Sequence, residues 1–218
     1  MSPTAVAGPT LPVVGVYVGR PAVIGDDRRG DPVTSAIAKR PVTGPSIALG
    51  PLNLAGDDQA DRTVHGGPDK VVYAYPVGHY PAWRAAGFDL APGGLGENVA
   101  LDGATEHDVR IGDVWRWGDA VLQVSQPRSP CYKLAIHVGR RGAGAHMVRT
   151  GHTGWYLRAL TTGTAPTGGA LVREATDADE PTVAEAFAAA VGRAAPDVVE
   201  RVAASPTLAA QWRAGVVR

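Results

Sequence analysis

The chain has one cysteine, Cys131, within residues 126–133 (QPRSPCYK), directly after a strand pattern. The flanking cations Arg128 and Lys133 favour a thiolate over a thiol, which lowers the pKa of the sulfur. A thiolate is both a nucleophile and a soft metal ligand, whereas a buried, inert cysteine is the alternative. One cysteine excludes an internal disulfide, a four-cysteine zinc site and a cysteine-bound iron–sulfur cluster. Cys131 is therefore predicted to act alone or as the only sulfur ligand that the chain supplies.

A second segment combines glycines with positive charge. Gly66 and Gly67 precede a helix start, and backbone N–H groups at such a place bind anions well. Arg62, His65 and Lys70 would add positive charge to this site. The spacing matches neither a phosphate-binding Walker loop nor a zinc signature. A plain glycine turn with a capping aspartate is the alternative.

Lys39 stands out because lysine is rare in this chain. Of the 21 basic residues, 18 are Arg and three are Lys, namely Lys39, Lys70 and Lys133. A lysine kept among so many arginines indicates a place where a guanidinium does not fit, although a GC-rich coding bias is the alternative explanation. Lys39 and Arg40 precede a proline, so an exposed basic turn is also open for this pair.

The glycine-flanked pair Glu97–Asn98 forms the last candidate segment. The neighbouring glycines allow a backbone to approach a ligand closely, and the two side chains offer hydrogen-bond acceptors and donors. A solvated Glu97 is the alternative.

Length, composition and charge limit the domain organisation and the binding partners that are possible. With 218 residues, one main domain with a small appendage is expected, and the 28 Gly and 18 Pro predict many turns and short strands. Basic and acidic residues balance at 21 each, so no net field attracts nucleic acid or anionic lipid. Neither a membrane span nor a secretory signal is apparent. We expect a cytoplasmic protein that binds neither nucleic acid nor membrane.

Short apolar runs separated by Gly, Pro and Asp predict a mainly β fold, a compact barrel or sandwich. Residues 114–117 and 120–124 flank Gly118–Asp119, the composition of a tight hairpin. Two helices are predicted among the strands, one from Pro68 toward Trp83 and one after Cys131. The other predicted strands are residues 13–18, 45–49, 95–101, 155–160 and 170–173.

The composition becomes Ala-rich with helical spacing after residue 175, which divides the chain into a barrel-like domain (1–175) and a three-helix module (176–218). Thr182 and Glu185 form a capping box for the first helix. The second helix is predicted over residues 197–204, and the third begins with Ser205 as N-cap and Pro206. Since about 40 residues are too few to be stable alone, we expect the module to dock on the barrel or on a partner.

Several of these segments occur together and in one order. The combination resembles the MOSC domain (molybdenum cofactor sulfurase C-terminal domain), specifically its YiiM-like branch, which carries a C-terminal module of three short helices. The match runs over nearly the whole chain from about Val13. Its motifs are KRPVTGP (39–45), GDDQADR (56–62), HGGPDK (65–70), GEN (96–98) and QPRSPCYKL (126–134).

The resemblance implies a mostly β, barrel-like fold that binds molybdenum cofactor, a pterin dithiolene with a phosphate tail. It implies that Cys131 ligates molybdenum and that N-hydroxylated compounds, such as hydroxylaminopurines, are reduced to amines by oxygen-atom transfer at the metal. His65, Glu97 and water are the candidate proton donors. The expected cofactor-binding residues are Lys39, Arg62, Gly66, Gly67, Lys70, Asn98, Arg128 and Lys133.

The partners implied are a small N-hydroxylated substrate and an external electron-donating reductase, because the sequence offers no flavin or iron–sulfur motif. A homodimer is one assembly that the sequence leaves open. A cofactor carrier or a sulfur relay through Cys131 would use the same residues and is the alternative function. A metal-free thiol enzyme or a structural protein is the third.

Overall fold

A computed structural model of the protein describes residues 8–60 and 66–216. Seven strands close into a barrel in the order β12-β8-β9-β10-β6-β7-β1, with β1 pairing back to β12. This confirms the predicted mainly β, barrel-like fold. The strands are β1 (Thr10–Val18), β2 (Ala22–Asp26), β3 (Pro32–Ser35), β4 (Arg40–Pro41), β5 (Ser46–Leu49), β6 (Val72–Pro76), β7 (Val99–Leu101), β8 (Val114–Trp117), β9 (Ala120–Pro127), β10 (Trp155–Thr161), β11 (Gly163–Pro166) and β12 (Ala170–Ala175).

Neighbouring barrel strands run antiparallel except β6 and β7, which are parallel. β4 extends the sheet beyond β1, while β2–β3 and β5–β11 form two separate antiparallel ribbons. Apolar side chains fill the barrel because inward and outward positions alternate along each strand. The largest fully buried barrel residues include Trp115, Trp117, Leu122 and Trp155.

The hairpin between β8 and β9 forms as predicted. Trp117 pairs with Ala120, so Gly118 and Asp119 are the two turn residues. Gly118 has φ +64, and a Cβ there would lie 2.3 Å from the carbonyl oxygen of Thr164. The position therefore requires glycine both for its backbone angle and for the close approach of β11.

The predicted helix from Pro68 toward Trp83 is wrong. Its middle is β6, whose five residues are all buried between β10 and β7. Only two short 3-10 turns, at Pro68–Lys70 and Val77–His79, and α1 (Tyr80–Ala85) are helical there. A strand that is buried on both faces has no alternating pattern, so its sequence cannot be told from a buried helix.

The other predicted elements differ less from the observed secondary structure. Only Val99–Leu101 of predicted strand 95–101 is extended, because Gly96 has φ +80 and the preceding residues form turns. The predicted helix after Cys131 is confirmed as α2 (Tyr132–Val138). Strands β2, β3, β4, β6 and β11 and helix α3 (Ala143–Thr150) are not among the predicted elements.

Three helices follow the barrel: α4 (Val183–Ala190), α5 (Pro196–Ala204) and α6 (Ala210–Val216). They dock on the barrel, because Val183, Ala186 and Val202 belong to the same apolar cluster as the barrel tryptophans.

The third helix starts at Ala210, so the prediction of Ser205 as its N-cap is wrong. The Ser205 hydroxyl instead accepts from the backbone N–H of Leu208 at 3.2 Å and donates to Glu180 at 2.5 Å, which stabilises a turn before the helix. Across residues 8–60 and 66–216, no helix is long and apolar enough to cross a membrane.

The capping box of α4 gives a stability prediction. Thr182 Oγ1 accepts from the N–H of Glu185 at 3.1 Å, and the Glu185 carboxylate accepts from the N–H of Thr182 at 2.8 Å. Thr182→Ala should lower the free energy of unfolding by about 1 kcal/mol, measured by urea denaturation. Thr176→Ala, at an exposed position, serves as the control and should change it little. Equal stability of the two variants would contradict the cap.

A buried histidine pair gives a pH prediction. The rings of His79 and His152 stack at 3.8 Å, and His79 Nε2 lies 2.7 Å from the Glu106 carboxylate. Partial burial, together with His79, lowers the pKa of His152 to about 4. Because an unfolded histidine has a pKa of about 6.5, the unfolded chain binds more protons between those values. The free energy of unfolding should therefore fall as the pH falls through that range.

The variant His152→Gln isolates this contribution. Urea denaturation between about pH 4.5 and 7.5 should show a shallower pH dependence in His152→Gln than in the parent. The exposed His107→Gln variant should keep the parental slope. Identical slopes in the parent and in His152→Gln would show that His152 does not stay neutral in the fold.

Candidate functional site

An open cleft lies where the end of β9 meets the start of β10. It encloses about 630 Å³ between atoms, counting the solvent at its mouth. The loops after β3 and β5, the start of β6, the loop before β7 and the segment after β9 all contribute to its walls. The residues that line it are Ser35, Ala36, Ile37, Lys39, Asp57, Asp58, Gln59, Ala60, Lys70, Tyr73, Gly96, Asn98, Arg128, Cys131, Lys133 and Tyr156.

Cys131 is positioned between a strand and a helix. β9 ends at Pro127, and Cys131 then occupies the N-cap position of α2, where its carbonyl oxygen accepts from the N–H of Leu134 at 3.1 Å. The side chain is half-buried and lines the cleft. The thiol is thus held by regular structure on both sides yet accessible to a ligand.

Two lysines reach the cleft from opposite sides of Cys131. Lys133 Nζ donates to the carbonyl oxygen of Thr34, and Lys70 Nζ donates to Gln211 Oε1, both at 3.0 Å. Burial lowers the pKa of Lys70, and the neighbouring Asp69 opposes this shift. Both ammonium groups are partly exposed to the cleft, so they can attract an anionic ligand.

Lys39 is held differently, in a buried ion pair. Its Nζ lies 2.5 Å from Asp57 Oδ1, and Asn98 Nδ2 donates to the other oxygen of Asp57 at 2.8 Å. Burial lowers the pKa of Lys39, although Asp57 favours its charged form. Asn98 Oδ1 accepts from the N–H of Tyr73 at 3.0 Å, so Asn98 links the pair to β6. Lys39 and Asn98 line the cleft, but their polar groups are already engaged with the protein.

Arg128 forms the buried floor of the cleft. Its guanidinium donates to the carbonyl oxygen of Leu95 at 2.7 Å and to the Tyr73 hydroxyl at 3.2 Å, and it lies 4.8 Å from the centroid of the Tyr73 ring. These contacts hold a permanent positive charge beneath the thiol segment.

Glu97 lies under the cleft and is not among the residues that line it. Its side chain is 0% exposed and accepts hydrogen bonds from the Tyr80 hydroxyl and from the N–H groups of Gly93 and Leu95, at 2.6 and 3.2 Å for the last two. Burial raises its pKa, and these hydrogen bonds oppose the shift. This geometry suits a residue that positions the glycine loop, and the role of proton donor stays a prediction.

The glycine segment is only partly described. Arg62 and His65 lie outside the described residues. Gly66 and Gly67 are described but are not among the residues that line the cleft. Gly67 has φ +97, and among the described residues beyond its chain neighbours none lies within 4 Å of a Cβ placed there, so its backbone angle is what favours glycine.

The sequence prediction missed several polar residues of the cleft. Asp57 and Asp58 were noticed only as parts of a motif, and no site role was predicted for Tyr73 or Tyr156. The two tyrosine rings pack in a tilted arrangement with 5.2 Å between their centroids, and burial raises the pKa of both hydroxyls. The available signal was an aromatic residue on each of two strands, and only their pairing in the barrel reveals that they meet.

The lining residues carry four cationic side chains and two carboxylates. Together with an accessible sulfur, this arrangement suits an anionic ligand that carries a thiophilic metal. Within the described ranges, no group of three or more His, Cys, Asp or Glu side chains could hold a metal ion.

Comparison with known proteins identifies the fold and the family. YiiM from Geobacillus stearothermophilus, known from its crystal structure, superposes with a TM-score of 0.78 at 31% identity and covers 95% of this chain and 97% of its own. YflK of Bacillus subtilis is 37% identical over 210 residues, which is 94% of this chain and 93% of YflK. YiiM of Escherichia coli is 44% identical over 155 residues, 69% of this chain and 66% of its own.

A protein from Gibberella moniliformis named Reductase is 38% identical over 141 residues, which is 62% of this chain but only 24% of that protein. The model of the MOSC domain family matches residues 61–173, which include Cys131 and half of the residues named as lining the cleft. MOSC domains are associated with binding of molybdenum cofactor in general. The chain therefore belongs to the MOSC domain family, in the branch that contains YiiM.

Proposed function

We propose that the protein is a molybdenum cofactor-dependent oxidoreductase that reduces N-hydroxylated compounds to amines. The observation that carries this proposal is that the single cysteine and four cationic side chains line one cleft. The MOSC domain and the similarity to the protein named Reductase support an oxidoreductase.

The donor set of the cleft fits the proposed cofactor. Cys131 would supply the protein sulfur ligand, and Lys70 and Lys133 would hold the anionic phosphate and pterin because their ammonium groups are partly exposed. Arg128 would add positive charge from below. Lys39 fits less well as a direct ligand, since Asp57 already neutralises it at 2.5 Å. It would instead fix the position of the loop that carries Asp57 and Asp58.

The proposed reaction converts R–NHOH, two electrons and two protons to R–NH₂ and water. When bound, the cofactor would supply the two-electron redox chemistry that cleavage of the N–O bond requires. The chain's own residues would bind and orient the cofactor. The Cys131 sulfur would hold it at one point of the cleft, and the hydrogen bond between the buried residues Arg128 and Tyr73 would keep the floor of the cleft rigid. Protons must come from water or from a group that faces the cleft.

Tyr156 joins Glu97 and His65 as a candidate proton donor, because it lines the cleft. It lines the cleft beside Cys131, and burial raises its pKa, partly opposed by Arg128, so its hydroxyl stays protonated at neutral pH. Glu97 lies beneath the cleft with three hydrogen-bond donors around its carboxyl group. His65 stays a candidate from the sequence.

Electrons would come from an external reductase. The part of the fungal Reductase that matches this chain is about a quarter of its length. The remaining three quarters of that protein have room for an electron-supplying unit that this chain would obtain from a separate partner.

The test is an amine-formation assay. Protein expressed in cells that make the cofactor is supplied with an artificial electron donor and an N-hydroxylated purine, and the amine is measured by chromatography. Turnover that depends on the cofactor content supports the proposal. No turnover by protein with a full molybdenum load would overturn it.

The same preparation tests the alternative of a carrier or a sulfur relay, which the half-buried, reachable Cys131 favours. A carrier would pass intact cofactor to an apo-acceptor without reducing any hydroxylamine. A sulfur relay would show a mass increase of one sulfur on Cys131 after exposure to a desulfurase. Either result without turnover would replace the reductase proposal.

A further inference from the structure

Charge is distributed unevenly along this chain, although its net charge is zero. Residues 120–173 contain seven arginines and lysines and no aspartate or glutamate. The other 164 residues contain fourteen basic residues and all 21 acidic ones. The acid-free stretch begins with β9, includes Cys131 and the helices α2 and α3 that follow it, and runs into β12. A zero net charge therefore conceals a positive region next to the thiol.

The fold gathers five cations of the helical surface around α2 and α3. The two helices pack against each other, and the residue pair between them at 140 and 141 is exposed. Arg193, which follows α4, donates to a carbonyl oxygen of α3 at 2.7 Å, so it lies beside this helix pair. All five cations except the first are exposed, and together they form the basic patch: Lys133, Arg140, Arg141, Arg149 and Arg193.

Within the described part of the chain, no carboxylate neutralises the basic patch. None of its cations lies within 4.0 Å of a described aspartate or glutamate oxygen. Lys133, Arg140 and Arg193 donate to backbone carbonyl oxygens instead, at 3.0, 3.2 and 2.7 Å. Arg149 donates to His146 Nδ1 at 2.8 Å. The patch thus keeps its positive charges without a counter-ion from the described residues.

The segments that pack beside the basic patch add no net charge to it. The β2–β3 ribbon packs on α2, and residues 20–31, which include most of it, contain three arginines and three aspartates. Residues 80–89, to which Arg140 donates, contain one arginine and one aspartate. Uncompensated like charges repel one another, so a partner that covers them with negative charges gains electrostatic energy.

An exposed aromatic side chain adjoins the basic patch. Tyr132 begins α2 directly after Cys131 and is 62% exposed. It is not among the residues that line the cleft, whereas Cys131 and Lys133 on either side of it are. Tyrosine and arginine are enriched at the centres of protein interfaces, because they bury much area and still form hydrogen bonds. One aromatic side chain among cations, next to the cleft, is therefore typical of a surface that receives another protein.

We propose that the basic patch and Tyr132 form the docking surface for an electron-donor protein with an acidic face. The inference rests on the proposed function for the reaction and assigns the surface that receives its electron donor. For each R–NHOH reduced, the donor protein is oxidised by two electrons, and the two protons come from water. Complexes for electron transfer are weak and small, and charge sets their rate of association, so a cationic surface around one aromatic side chain is sufficient.

The binding test does not need the reaction. Flavodoxin, a small acidic flavin protein, is titrated into the full-length protein at low salt, and binding is followed by biolayer interferometry. Arg141→Glu and Arg149→Glu should each weaken binding roughly 10-fold, and a rise to about 0.3 M salt should weaken binding to the parent by a similar factor. Arg141→Gln, which removes the charge without reversing it, should lie between Arg141→Glu and the parent.

Arg116→Glu is the matched control for charge. It makes the same change in net charge, and the side chain is half exposed in an ion pair with Glu174 whose loss costs little. Arg116 pairs with Val121, which lies about 20 Å along β9 from Pro127 and the thiol segment. Flavodoxin should therefore bind to Arg116→Glu as tightly as to the parent.

The kinetic test compares two electron donors with the cofactor-loaded protein and an N-hydroxylated purine. With reduced flavodoxin, Arg141→Glu should raise the KM for flavodoxin roughly 10-fold with little change in kcat, because the variant weakens docking and not the chemistry. With reduced methyl viologen, a small donor that needs no docking surface, Arg141→Glu should lose no rate. A variant that is merely unstable would lose rate with both donors.

The outcomes separate the docking surface from the proposed reaction. If the loaded protein forms no amine with either donor, the proposed reaction fails, while flavodoxin binding still decides the docking surface. A parent that does not bind flavodoxin at low salt would overturn the docking surface, as would Arg141→Glu and Arg149→Glu variants that bind it as tightly as Arg116→Glu. Tighter binding of a single-stranded oligonucleotide than of flavodoxin would also overturn it, because the patch would then serve nucleic acid.

Discussion

Cys131→Ala should abolish reduction of N-hydroxylated compounds while leaving the protein folded. The side chain is half-buried and lines the charged cleft. Because even groups that only support a metal ligand change metal affinity or activity by about 10- to 100-fold, loss of the ligand itself should cost at least about 100-fold in kcat/KM. Amine formation with an artificial donor measures this.

The fold should tolerate the substitution, because the half-buried thiol is at a helix N-cap position where no side-chain hydrogen bond is formed with the helix. A midpoint temperature of thermal unfolding within a few degrees of the parent's would confirm that Cys131→Ala is folded. Tyr132→Ala, adjacent and exposed, should keep the parental rate. A Cys131→Ala protein with the parental rate and full cofactor content would show that the sulfur is not a ligand.

Glu97→Leu should destabilise the protein more strongly than any surface substitution. The carboxyl group accepts from the Tyr80 hydroxyl and from the N–H groups of Gly93 and Leu95, all of them buried. Leucine would leave these donors unpaired, which should lower the free energy of unfolding by about 3 kcal/mol or more. Urea denaturation gives the value.

Glu97→Gln separates positioning from proton donation. Glutamine keeps an acceptor oxygen but cannot release a proton as a carboxylic acid does. If Glu97 positions the loop, the folded Gln variant should retain turnover within about 3-fold and an unchanged pH profile, and Glu200→Gln on the exposed face of α5 should match the parent in every respect. Full stability combined with complete loss of turnover in Glu97→Gln would restore the predicted role of proton donor.

The sequence correctly predicts those elements that are determined by residues close together in the chain. The hairpin at Gly118–Asp119 and the capping box at Thr182 and Glu185 are specified by residues two or three apart, and both are present. β6 was mistaken for helix because its residues are buried on both faces, and this burial comes from β7 and β10, far away in sequence. Periodicity carries no information about that environment.

The candidate site, like the fold, can be predicted only in part from the sequence. The segments with Lys39, Asn98, Arg128, Cys131 and Lys133 were recognised from residue types, and the structure brings them to one cleft. Their individual tasks depend on contacts that the sequence does not display. The pairing of Lys39 with Asp57 and the burial of Glu97 both come from the way loops pack against β6 and β7.

Metal and pterin analysis of freshly purified protein tests the central claim most directly. The parent, Cys131→Ala and Tyr132→Ala are expressed in cells that make molybdenum cofactor, and molybdenum is measured by mass spectrometry and pterin by fluorescence after oxidation. We expect near-equimolar molybdenum and pterin in the parent and in Tyr132→Ala, and a loss of most of the molybdenum in Cys131→Ala. Parent protein without molybdenum and pterin under these loading conditions would contradict cofactor binding at this cleft.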